Sequence, residues 1–157
     1  MKHIAAGLVL SGVLSACMET HAQTMRPVLD YKSAEIIRDA CVAYAEETGN
    51  KIAVAVFDAG GELVAYTRTD LPPDAGAAAQ WKGRSAAFYL TPSSETGKWG
   101  IPTAPAIATL GGGMPIFARD GTGLGGVGVA GAAVEFDVEC AIRGIEAAGL
   151  SANGLGE

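Results

Sequence analysis

The chain holds 157 residues, 49% of them hydrophobic and 18% charged, the size and balance of one globular domain. Eleven Lys and Arg face seventeen Asp and Glu, for a net charge of −6. That balance argues against general nucleic-acid binding, which needs cations to displace phosphate counterions, and against docking on anionic lipid through a polybasic face. The 22 glycines are clustered rather than periodic, which excludes a collagen-like chain.

Residues 1–22 read as a leader. Lys2 gives a short positive region, 4–16 is apolar and too short for a membrane span, and Thr20-His21-Ala22 places small residues where a signal peptidase reads. The expected product is exported, periplasmic or secreted, with 23–157 as one domain. An alternative cleavage exists, because Leu14-Ser15-Ala16-Cys17 resembles a lipobox that would lipidate Cys17 and give a lipoprotein. Both histidines, His3 and His21, lie in this leader. The soluble mature chain would then have no imidazole for a Ser-His-Asp triad, a general base or a zinc site.

After a short arm with Pro27, Ser33 can cap a helix over 34–48 that ends at Gly49-Asn50, with Ile37, Cys41, Tyr44 and Ala45 on one face. Strands are predicted over 52–58 and 62–68 around the turn Ala59-Gly60-Gly61, and Pro72-Pro73 mark a loop. A second helix covers 77–89, and 93–96 forms one further turn. The stretch 98–105 is irregular, and 106–110 reads as a short strand. A second hairpin joins 114–118 to 126–132 across Asp120-Gly121, and a closing helix covers 134–148 before Gly149. This order implies a single α+β domain, a roughly five-stranded, mainly antiparallel sheet flanked by helices.

Cys41 and Cys140 each fall on a predicted helix. In an oxidising compartment a disulfide between them would close a loop of about 100 residues, the regime of large entropic stabilisation; the alternative is two buried thiols.

Gly121-Thr122-Gly123-Leu124-Gly125-Gly126 meets the G-x-G-x-x-G spacing, but the chain continues as strand, so no helix N-terminus stands ready for a pyrophosphate. Lys82 and Arg84 lie among Trp81, Phe88 and Tyr89. Two cations beside aromatic rings can hold the carboxylates of a flat apolar ligand; a solvated helix face is the plainer account. Glu135, Asp137 and Glu139 open the last helix, where acids complement the helix dipole or, alternatively, Glu135 or Asp137 acts as a catalytic base. Met114 is a soft sulfur beside glycines, a gap-filler or an iron ligand.

Five blocks in order resemble the GlcG/HbpS-like haem-binding family, over about 33–148. They are Val56-Phe57-Asp58-Ala59-Gly60-Gly61-Glu62-Leu63-Val64-Ala65, Arg68-Thr69-Asp70, Lys82-Gly83-Arg84-Ser85-Ala86, Gly112-Gly113-Met114-Pro115, and Gly128-Val129-Ala130-Gly131 leading to Glu135-Phe136-Asp137. A related module is fused to corrinoid adenosyltransferases. Departures include Gly83 for Ala, Ser85 for Thr, Ala130 for Ser and Phe136 for Gln. The resemblance implies a sheet flanked by helices, a homo-oligomer, and a small-molecule ligand such as haem held without an axial histidine. In that reading Lys82 and Arg84 hold carboxylates, Phe88 and Tyr89 pack on the ring, and Ser85, Tyr89 or Met114 stand near iron, with no protein metal site of its own. Two alternatives remain: an enzyme acting on a 2-oxo or 2-hydroxy acid with Glu135 or Asp137 as base, and a structural oligomer without ligand.

Overall fold

The computed structural model describes residues 25–154. The expected leader, its alternative lipidation site Cys17 and both histidines lie outside the described residues. The elements run α1 (Tyr31–Glu47), β1 (Ala53–Asp58), β2 (Leu63–Arg68), α2 (Pro73–Tyr89), α3 (Ser93–Thr96), a 3-10 turn (Gly97–Trp99), β3 (Gly113–Phe117), β4 (Gly123–Ala130) and α4 (Val134–Ala147). They form an α+β domain.

The sheet has four antiparallel strands in the order β2-β1-β4-β3, so β1 and β4 are central and buried on both faces. Alternation along β1 divides the core. Val54 and Val56 join Val127, Val129, Met114 and Ile116 on one face, under Ile37, Cys41 and Ala45 of α1 and Cys140, Ala141 and Ile145 of α4. Ala53, Ala55 and Phe57 face the other way, toward Ala79 and Ala87 of α2.

The two helix layers meet the sheet differently. The α1/α4 layer packs branched side chains, and the Cys41–Cys140 disulfide ties its two helices with Cα atoms 4.9 Å apart. The α2 layer packs backbone on backbone. A Cβ on Gly128 would stand 2.0 Å from the Ala79 carbonyl oxygen, and one on Gly126 would stand 2.4 Å from the Ala87 nitrogen. The G-x-G-x-x-G run therefore continues directly into the close α2 crossing; its second half lies inside β4, with no helix N-terminus behind it.

Both hairpin turns are set by an aspartate. Asp58 Oδ1 accepts from the Gly60 and Glu62 amides, and Asp120 Oδ1 accepts from that of Thr122. Gly61 and Gly121 take the left-handed conformations (φ 77° and 81°) that these turns require. Asp30, not Ser33, caps α1, and its carboxylate accepts from the Ser33 amide at 2.6 Å. Helix α2 starts four residues earlier than predicted because Pro73 fits the first helical turn, where a missing N–H costs nothing.

The stretch 106–110 is the one expected strand that does not form, which leaves four strands. Its polar backbone is met by side chains instead. Trp81 Nε1 donates to the Ile107 carbonyl (2.8 Å), Tyr89 Oη to that of Pro105 (2.6 Å), Thr96 Oγ1 to that of Ala108 (2.7 Å) and Ser93 Oγ to that of Leu110 (2.6 Å). Ser85 Oγ accepts from the Ala108 amide at 2.9 Å. Among the described residues no helix is long and apolar enough to cross a membrane.

Candidate functional site

Helix α2 carries the site. Its sheet-facing residues are small (Ala79, Gly83, Ala86), so the helix lies close against β1 and β4. Two further faces remain. Trp81, Ser85 and Tyr89, one turn apart, point along the flank and hold the 105–108 segment through the three hydrogen bonds given above. Trp81, Arg84 and Phe88 meet solvent.

Between the helix and the held segment lies a groove of about 220 Å3, lined by Gln80, Trp81, Arg84 and Ala106. Ala106 has a left-handed backbone (φ 56°), rare for a residue with a Cβ. The bonds to Trp81, Ser85 and Tyr89 on either side of it hold that conformation in place. The Arg84 guanidinium carbon lies 5.2 Å from the centre of the Phe57 ring. Arg84 has no carboxylate partner among the described residues. The groove thus offers an aromatic face, an unneutralised planar cation and a fixed opposite wall, which suits a flat molecule with an acidic edge.

The structure separates the two cations, two positions apart, that the sequence suggested as a pair. Lys82 points inward and is only 4% exposed. Its Nζ donates to Asp137 Oδ2 at 3.0 Å and to the Val129 carbonyl at 2.9 Å. Asp137, 1% exposed, also accepts from the Ala132 amide at 3.4 Å. Burial pushes the Asp137 carboxyl above its ordinary range, and the attraction of Lys82 and the hydrogen bonds only partly oppose this. Lys82 is therefore a strut from α2 to the first turn of α4 and does not line the groove.

Other expected residues also fall elsewhere. The Ser85 and Tyr89 hydroxyls are engaged with the loop backbone. Met114 lies in the core on the α1/α4 side of the sheet, so the sheet separates its sulfur from the groove. Phe88 is exposed, one turn beyond Arg84, with its ring edge against Gly61. As for the alternative bases, Glu135 is exposed and Asp137 is committed to Lys82. Gln80 and Ala106 are not among the residues the sequence offers, and Trp81 enters there only as a neighbouring ring without an assigned contact. Trp81 is three residues before Arg84, a spacing that puts both on one side of a helix and could have drawn it in. Nothing in the sequence brings Ala106 to them.

A single α+β domain with an antiparallel sheet, one helix pair on one face and a glycine-seated helix on the other defines the class. Residues 29–146 match the family model described as "Haem degrading protein HbpS-like", and the chain belongs to this HbpS-like family. It is 32% identical over 109 residues to Protein GlcG of Escherichia coli (strain K12), covering 65% of this chain and 81% of that protein. The crystal structure of HbpS superposes with a TM-score of 0.73 at 28% identity, covering 87% of this chain and 96% of that one. A double mutant of HbpS from Streptomyces reticuli gives 0.75 at 26% identity, covering 99% and 100%. The PduOC:heme complex shares the fold, with a TM-score of 0.74 at 24% identity, covering 81% of this chain and 99% of that one.

Proposed function

We propose that the protein is an exported binding protein for haem or a similar flat, carboxylate-bearing tetrapyrrole, which it holds in the groove between α2 and residues 105–108. The observation that carries this reading is Arg84, a solvent-facing guanidinium without an acid partner among the described residues, beside the exposed Trp81 ring. The family's haem-related description supports the ligand class. The propionates fit Arg84, and the ring fits the Trp81 face. A groove of about 220 Å3 is small beside the roughly 300–1,000 Å3 of enclosed ligand pockets, so it takes an edge of such a ligand and leaves much of the ring outside.

Export is part of the proposal, and the Cys41–Cys140 disulfide supports it because such bonds persist in oxidising compartments. A homo-oligomer accords with the exposed Trp99, Ile101 and Leu110. Haemin titration tests the reading. A Soret shift that saturates at a defined stoichiometry is expected, with Arg84→Ala weakening binding by about tenfold, the loss of one charge-assisted contact. An unchanged spectrum on adding haemin would overturn it.

A further inference from the structure

Resting on that reading, we infer that the groove recognises the ring and the acid groups of its ligand and gives no ligand to a central metal, so that a metal-free tetrapyrrole dicarboxylate binds as well as haemin. The inference comes from the donor atoms around the groove. Its lining side chains are Gln80, Trp81, Arg84 and Ala106. The indole N–H of Trp81 is a donor only, is already bonded to Ile107, and cannot ligate a metal. The Arg84 guanidinium is a hydrogen-bond donor only and has no lone pair to offer. Ala106 has no donor, and the Gln80 amide, a weak ligand for iron, bonds back to the Gly76 carbonyl.

The stronger candidates nearby are occupied or remote. The Tyr89 hydroxyl donates to Pro105 at 2.6 Å, and that of Ser85 is buried against Ala108. Met114 lies beyond the sheet, and Lys82 is held by Asp137. Among the described residues no group of three His, Cys, Asp or Glu side chains is placed to hold a metal ion. Iron affinity in haem proteins comes from imidazole, thiolate, thioether or phenolate at the axial position, and among the described residues none of these lines the groove. Recognition therefore falls to stacking and to the carboxylate–guanidinium contact, and both are the same with or without iron.

The test uses the full-length chain carrying Trp99→Phe, which leaves Trp81 as the sole tryptophan, together with His3→Ala and His21→Ala, which removes both imidazoles of the sequence. Quenching of Trp81 fluorescence is titrated with haemin and with metal-free protoporphyrin IX. Dissociation constants within about threefold of each other, both raised about tenfold by Arg84→Ala, are the expected result. A preference for haemin of about tenfold or more would overturn the inference and leave the tetrapyrrole reading standing. Equal constants that Arg84→Ala leaves unchanged would place binding outside the groove and overturn it as well. Quenching by neither compound would overturn both.

Discussion

Trp81 and Ile107 are joined by a 2.8 Å hydrogen bond from the indole Nε1 to the carbonyl oxygen, across 26 residues of chain. This bond fixes one wall of the groove to the other. Trp81→Phe keeps an aromatic face and removes the donor, leaving the carbonyl of the buried Ile107 without it. The expected cost is about 1–3 kcal/mol in denaturant unfolding, with faster amide exchange at Ala108, whose N–H is held by Ser85 in the same segment. Unchanged exchange there would show that Ser85 and Tyr89 hold the loop without Trp81.

How far the sequence could be read follows from this contact. Both hairpins were legible because Asp58-Ala59-Gly60-Gly61 and Asp120-Gly121 set their turns by local hydrogen bonds. Helix α1 was legible from its apolar period through Ile37, Cys41 and Ala45, whereas α2, whose buried face is made of Gly, Ala, Ser and Lys, carries no such stripe. The stretch 106–110 looked like a strand because its short apolar run says nothing about what its carbonyls will meet. Its partners lie on α2 and α3, from 12 to 26 residues away. The site was half legible for the same reason. Arg84 was found from its charge among aromatics, and Lys82 was found with it, because spacing on a helix does not say which of two nearby cations turns inward. Asp137, which decides that, is 55 residues further on.

The Lys82–Asp137 pair gives a second prediction. Removing one partner strands the other charge in the interior. Lys82→Met and Asp137→Leu should each destabilise by about 3–5 kcal/mol, while the double variant recovers much of the loss. The pair also leaves a mark on the pH profile. The folded Asp137 holds its proton more tightly than the unfolded chain does. Its contribution is thus fully present below the unfolded value, near 3.8, and is lost as pH rises through the higher folded value. Stability measured from pH 3 upward should carry this falling component in the native protein, and Asp137→Asn should lack it. Parallel profiles for the two would contradict the assignment.

The disulfide closes a span of 99 residues between two helices that already pack together. In the chain-entropy model, opening a loop of that order costs about 4–5 kcal/mol. Cys41→Ala with Cys140→Ala should lower the unfolding free energy by that order and raise the m-value, because the unlinked denatured chain exposes more surface. Haemin affinity at a temperature where the variant stays folded should be unaltered, since the bond joins α1 to α4 on the opposite side of the sheet from the groove.

Gly128 tests whether the groove depends on how deeply α2 is seated. A Cβ here would meet the Ala79 carbonyl oxygen at 2.0 Å and the Gly83 nitrogen at 2.3 Å, and both are backbone atoms of the helix. No rotamer change can relieve such contacts, so Gly128→Ala must push α2 off the sheet. The expected cost is at least about 1–3 kcal/mol, the usual range for overpacking a well-filled interior. The same displacement would carry Trp81 and Arg84 away from Ala106. Ligand affinity should therefore fall along with stability, although Gly128 does not line the groove. Gly83→Ala presses on the same crossing from the helix side, 2.8 Å from the Ala55 carbonyl and the Gly128 nitrogen, and should do the same to a smaller degree. Titration of both variants with haemin, at temperatures where each remains folded, would separate this from simple unfolding. Full affinity in a destabilised Gly128→Ala protein would show that the groove does not depend on the seating of α2.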